Sequence, residues 1–220
     1  MKPLRLDRVR DALVIAPHPD DETIGAYGLI RRLIWRGARV RVIVAADGAA
    51  SHPASLRWPR RRLIVERRRE TRAAMRRVGV TAAKVRFLGL PDGSLSDLTR
   101  CEARALSREI ARARRADLLV LPARDDDHPD HRAIARIAAA AGARTARRIE
   151  YLVWPDRDAR RRPAVATLRL GTAAAAKRGA IRRYRTQTGA IDDDPNGFAI
   201  SRAELARFSR PLELYREIRR

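Results

Sequence analysis

The chain has 220 residues but only one cysteine, Cys101, four histidines and three lysines. A single cysteine excludes an internal disulfide framework and a multi-cysteine zinc site. Aromatic residues make up 5% of the chain. None is interleaved with the basic clusters as a platform for stacking single-stranded nucleic acid requires. No apolar run approaches the roughly 18 residues of a membrane span, so no transmembrane segment is expected. The opening Met1–Arg8 stretch lacks the apolar core of a signal peptide, and the expected location is the cytoplasm. Also missing are a G-x-G-x-x-G turn, a Walker A loop and a G-x-S-x-G elbow, which counts against a dinucleotide-binding oxidoreductase and a serine hydrolase.

Arginine, in contrast, is abundant. The formal net charge is +23, and 46 of the 49 basic residues are arginine. The densest patches are Arg60-Arg61-Arg62, Arg67-Arg68-Arg69 and Arg160-Arg161-Arg162. Arginines run along the whole chain, mostly at helical surface spacing, which reads first as a solvated face. The functional reading is attraction to an anion: a phosphorylated substrate, a lipid headgroup or a nucleic acid. No helix-turn-helix, zinc-finger or RNP signature is present, so no specific nucleic-acid partner is expected.

With 45% apolar residues the length suits one domain across residues 1–220, with a core of about 10–155 and a C-terminal extension of about 156–220. Short apolar runs predict strands at Ala12–Ala16, Val40–Ala46, Val85–Leu88, Asp117–Leu121 and Ile149–Val153. Between them, apolar residues at helical spacing predict helices over Thr23–Arg36, Leu63–Val78, Cys101–Arg114 and His131–Ala141, the last ended by Gly142. The alternation implies an α/β fold, Rossmann-like and three-layered, with a mostly parallel sheet. After Pro155 the pattern loosens to a strand at Thr167–Leu170, a helix over Ala173–Tyr184 and a turn-rich tail from Gln187.

Three of the four histidines fall in two similar motifs, Pro17-His18-Pro19-Asp20-Asp21-Glu22 and Asp125-Asp126-Asp127-His128-Pro129-Asp130-His131. Each follows a predicted strand and opens a predicted helix. With strand order 3-2-1-4-5, the first and fourth strands are neighbours, and both motifs meet in the crevice beyond their carboxyl ends. Imidazole and carboxylate are the ligands a catalytic zinc takes when thiolates are absent. His18 and Asp21, three apart at a helix start, can face one point, with His131 as a third ligand and Asp20 free as a base. Taken singly, Asp20 and Asp130 also read as helix caps.

At these motifs the chain resembles the PIG-L/LmbE family of zinc-dependent de-N-acetylases. That family carries a [A/P]-H-P-D-D-E segment after its first strand and an H-x-D-H segment after a later one. Arg67-x-x-Glu70, Leu88–Gly93 and the looser set Lys177, Tyr184, Gln187 extend the likeness. The resemblance implies a Zn2+ cofactor on His18, Asp21 and His131, with Asp20 as general base. It implies that His128 stabilises the oxyanion or protonates the departing amine, and that Asp130 orients a nearby histidine. Arg67 and Asp92 match positions that contact the sugar or its phosphate in some members. The implied activity is removal of acetyl from a small-molecule N-acetylated sugar, with an N-acetylglucosaminyl compound expected and a phosphate-bearing one in keeping with the charge. A homo-oligomer is in keeping with family members that form trimers or hexamers. The alternative is a basic, catalytically inactive member that binds an anionic partner such as nucleic acid. Two features depart from the family pattern. Asp126 stands where some members have an aromatic, and the Asp47–Pro53 loop adds His52, read as a rim or substrate contact with a plain loop histidine as the alternative.

Overall fold

The computed structural model describes residues 2–112, 116–141, 146–154 and 166–218. The elements run β1 (Lys2–Pro3), β2 (Asp11–Ala16), α1 (Asp21–Trp35), β3 (Arg39–Ala46), α2 (Arg60–Arg77), β4 (Val85–Leu90), α3 (Arg100–Ala111), β5 (Leu118–Pro122), α4 (Pro129–Ala141), β6 (Arg147–Tyr151), β7 (Ala166–Arg169), α5 (Ala173–Ile181), α6 (Arg202–Phe208) and β8 (Leu212–Ile218). All five core strands and the helices between them match the elements read from the sequence, with small shifts at their ends. Gly142, Arg114, Pro155 and the Arg160–Arg162 patch lie outside the described residues.

The strands form one sheet in the order β1-β7-β8-β6-β5-β2-β3-β4. From β6 to β4 every pairing is parallel. This is the doubly wound order expected, in which the chain winds outward in both directions from β2 and β5. Side chains alternate along a strand, so Ala12, Val14 and Ala16 pack against α1, α2 and α5 in one buried cluster. Leu13 and Ile15 join residues of α3 and α4 in a second. Burial on both faces explains why β2 reads as an unbroken apolar run.

Two elements of the tail, α6 and β8, are absent from the sequence reading. For α6 the signal was there, because Ser201 and Glu204 form a capping box. For β8 the polarity is inverted. Glu213 and Tyr215 are buried while Leu214 is exposed, so an apolar-inward pattern cannot find it. β8 pairs antiparallel with β6 and β7, adding three strands (β8, β7 and β1) beyond β6.

Glu213 reaches from β8 to the middle of α1. It accepts hydrogen bonds from Lys177 Nζ (2.9 Å), Gly28 N (2.8 Å), Leu29 N (2.9 Å) and Tyr215 Oη (2.7 Å). Gly28 permits the approach, since a Cβ there would come within 2.0 Å of Leu170 Cδ2 and 3.0 Å of Glu213 Oε2. Removing one partner of a buried charge pair strands the other in low dielectric. Glu213→Ala is therefore expected to cost about 3–5 kcal/mol in urea unfolding followed by circular dichroism. A loss below about 1 kcal/mol, the range of an exposed pair, would mean the contact does not anchor α1.

Candidate active site

Pairing of Ala12–Val14 with Leu118–Val120 sets the exits of β2 and β5 side by side. The Pro17–Glu22 and Asp125–His131 motifs leave from these exits. Loops after β3 and β4 and the 187–198 segment close the rest of a cleft of about 270 Å³. It is lined by His18, Asp20, Asp21, Arg67, Asp92, His128 and His131 among others.

Asp20 is the only non-glycine among the described residues with positive φ, at 138°. Such strain persists only where surroundings over-determine it. Here the Asp20 carbonyl accepts from Thr23 N (2.9 Å) and Ile24 N (2.8 Å), and its own N–H donates to Glu22 Oε2 (3.2 Å). Its side chain caps nothing. Instead Oδ2 accepts from Arg67 Nη2 at 3.1 Å. The same buried guanidinium donates to Pro19 O (2.6 Å) and Gly48 O (3.0 Å). Arg67 thus binds the β2 and β3 exits together and lies in the cleft with three oxygen partners. Glu22, fully buried, is held by Tyr184 Oη, which also bonds Thr23 Oγ1 at 2.9 Å.

His18, Asp21 and His131 converge. Asp21 Oδ2 lies 3.1 Å from His18 Nδ1 and 3.1 Å from His131 Nε2, and those nitrogens are 3.2 Å apart. The outer nitrogen of each ring faces a carboxylate. His18 Nε2 is 3.0 Å from Asp130 Oδ2 and 3.2 Å from Asp92 Oδ1, and His131 Nδ1 is 3.2 Å from Asp126 Oδ2. Asp130 is fixed in turn by Gly93 N and Leu95 N, both at 2.9 Å. Asp92 accepts from Ala50 N at 2.9 Å.

His128 is arranged differently. Its Nδ1 accepts from Asp130 N at 3.2 Å, so a neutral ring carries its proton on Nε2. A nitrogen from each of His18, His128 and His131 nevertheless falls within a 4.8 Å group. The electrostatics separate them. Burial, then the His18 and His131 charges, push His128 below the usual imidazole value. For His18 burial is outweighed by Asp130, Asp21 and Asp92, which hold it up at about 10. For His131 burial is outweighed by Asp21 and Asp126, which raise it to about 9. Burial pushes Asp20 up to about 8 against the pull of Arg67. Asp21 is held well below the usual carboxylate range, the two histidines overcoming its burial.

Eight of the nine residues singled out in the sequence are therefore brought together. His52 is not. It is buried, 3% exposed, and does not line the cleft. It packs on Gly197, where a Cβ would meet its Cδ2 at 2.2 Å. Asp126, read in the sequence only as a departure, faces His131. Trp154 and Phe198, not singled out, line the cleft. A strand exit on the same edge of the sheet was the available signal for Trp154.

The family profile described as GlcNAc-PI de-N-acetylase, PIG-L, matches residues 13–142. The chain belongs to the PIG-L family. Among solved structures it is similar to N,N'-diacetylchitobiose deacetylase from Pyrococcus horikoshii, with TM-score 0.76, 21% identity and coverage of 96% of this chain and 84% of that one. It is also similar to the A40926 pseudoaglycone deacetylase Dbv21, with TM-score 0.68, 22% identity and coverage of 95% and 96%. GalB, the 4-carboxy-2-hydroxymuconate hydratase from Pseudomonas putida KT2440, shares the fold with TM-score 0.69, 16% identity and coverage of 91% and 82%. At these identities the likeness is one of fold. No curated protein matches.

The His52–Gly197 contact makes a direct prediction. Gly197→Ala forces a methyl group into the imidazole and is expected to destabilise by about 1–3 kcal/mol through overpacking, read as a fall in Tm. An unchanged Tm would show that the loop gives way freely.

Proposed function

We propose that the chain is a metal-dependent amidohydrolase that removes acetyl from an N-acetylated sugar, with Zn2+ on His18, Asp21 and His131. The observation that carries this reading is the triangle of His18 Nδ1, Asp21 Oδ2 and His131 Nε2, with edges of 3.1–3.2 Å. Ligand atoms about 2.0–2.1 Å from a tetrahedral zinc lie about 3.3 Å from one another, so the spacing fits. The carboxylates behind both rings fit as well. Asp130 and Asp126 each face a ring's outer nitrogen, which leaves the inner lone pairs free and strengthens them as donors. When bound, the cation makes water a nucleophile near neutral pH and polarises the acetamide carbonyl.

The chain's own residues supply the rest. Asp20, in the cleft and outside the triangle, is suited to take the proton from the attacking water. Its buried carboxylate has a raised proton affinity, and Arg67 keeps it in place. His128 has its Nδ1 engaged by Asp130 N, which leaves Nε2–H as its donor. That proton suits an oxyanion or, when passed on, the departing nitrogen. Asp92, in the cleft wall, is available to a sugar hydroxyl. The N-acetylglucosaminyl identity of the substrate belongs to this reading and rests on the family match. The basic, inactive alternative has no observation in its favour, since every chemically active side chain of the two motifs is in place.

Metal content tests the first part. After reconstitution the wild type is expected to hold about one zinc per chain by atomic emission. His131→Ala is expected to lose it and His128→Ala to keep it. Metal lost from His128→Ala and kept in His131→Ala would exchange their roles, and a well-folded wild type without metal would remove the mechanism. Turnover tests the second part. Asp20→Asn is expected to retain zinc while acetate release from N-acetylglucosaminides falls about 100- to 10,000-fold; unchanged turnover would exclude Asp20 as the base.

A further inference from the structure

The cleft lining holds two kinds of side chain: the histidines, the carboxylates and Arg67, and the apolar Ile24, Trp154 and Phe198. Trp154 meets Phe198 edge-on at 6.0 Å and Phe208 edge-on at 5.3 Å, with Arg207 5.5 Å from its ring centre. These are favourable aromatic geometries that limit ring movement.

Both lining rings are also held by their backbones. Trp154 N donates to Asp126 Oδ2 at 3.3 Å, the oxygen that faces His131. Phe198 N donates to Ser51 O at 2.7 Å, and Gly197 before it lies on His52. The loop ahead of Phe198 is tied to the loop after β3. Asp194 accepts from Ala54 N (2.9 Å), and Asp193 accepts from Ser55 Oγ (2.7 Å) and Arg57 N (2.9 Å). An aromatic surface fixed from so many sides next to a reaction centre is preorganised for a ligand.

We propose that Trp154 and Phe198 form an aromatic subsite that selects N-acetylated pyranosides over acyclic N-acetyl amines. The inference rests on the deacetylase reading and names the part of the substrate that the aromatic pair receives. A pyranose has an apolar face of C–H groups and a rim of hydroxyls. The aromatic pair suits the face, while Asp92 and Gln187, also in the lining, suit the rim. The cleft's volume, about 270 Å³, lies just below the roughly 300–1,000 Å³ of small-molecule sites.

The experiment compares kcat/KM for methyl N-acetyl-β-glucosaminide and N-acetylethanolamine in wild type, Trp154→Ala, Trp154→Phe and Phe198→Ala. The preference for the pyranoside is expected to fall about tenfold in Trp154→Ala, mainly through KM, and to be recovered in Trp154→Phe. An unchanged preference overturns the subsite. So does a change in preference between acetyl and longer acyl chains with the ring preference intact, which would give the aromatic pair to the acyl group. A second readout needs no turnover. Calorimetry of glucosamine with Asp20→Asn is expected to show binding that weakens about tenfold on adding Trp154→Ala. Binding that is absent, or indifferent to Trp154, overturns the subsite. Glucosamine binding without deacetylation by the wild type would instead overturn the deacetylase reading and leave the subsite standing.

Discussion

The parallel pairing of β2 with β5 is the constraint on which the site depends. The two histidine motifs lie about 110 positions apart in the chain, yet in-register pairing of Ala12–Val14 with Leu118–Val120 brings their exits together. A one-residue slip would turn every side chain of β2 to the opposite face. Burial on both faces does not by itself forbid that slip, because both faces are apolar. Tyr151 Oη on Ile15 O, at 2.9 Å, and Asp117 Oδ2 on Arg10 N and Asp11 N, at 2.8 and 3.0 Å, tie the two ends of β2 to its neighbours. The geometry of the His18–Asp21–His131 triangle is thus set by contacts at the far ends of the strands as well as by the loops that carry it.

The core and most of the site were legible because their signals are local. Apolar runs mark the buried parallel strands, and two motifs concentrate three of four histidines at strand exits. What was not legible depends on contacts between distant segments. Asp126 stands in an acidic stretch, and nothing in that stretch says which of its carboxylates will face His131. Trp154 follows a strand whose end was placed two residues too late. His52 looked like a cleft residue because its loop does border the cleft, but its imidazole is buried against Gly197 and does not line it. In β8 the buried charge of Glu213 answers Lys177 and the backbone of α1, and no amphipathic rule anticipates that arrangement.

The same fold carries the hydratase GalB, so the sheet does not choose the reaction. The choice lies in the side chains at the strand exits. Addition of water to a carbon–carbon double bond and hydrolysis of an amide both need an activated water. In the proposed amide hydrolysis the leaving nitrogen needs a proton donor, which His128, with Nδ1 committed to a backbone N–H, would supply, while Asp20 on the Arg67 side would take the proton of the water. The family match over residues 13–142 spans both motifs.

The charge distribution adds a constraint on what the cleft can receive. The chain as a whole carries +23, yet Asp20, Asp21, Asp92, Asp126 and Asp130 gather at the cleft floor with three imidazoles. Surface arginines are screened beyond about 8 Å at physiological ionic strength, so they do not cancel that local field. Arg67, the one arginine in the cleft lining among the described residues, is occupied by Asp20 and two carbonyl oxygens. The carboxylates of Asp21, Asp92, Asp126 and Asp130, each within 3.2 Å of an imidazole nitrogen, set the local field there. An anion drawn toward the basic surface therefore meets a cleft whose polar lining, Arg67 apart, is mostly carboxylate and imidazole side chains.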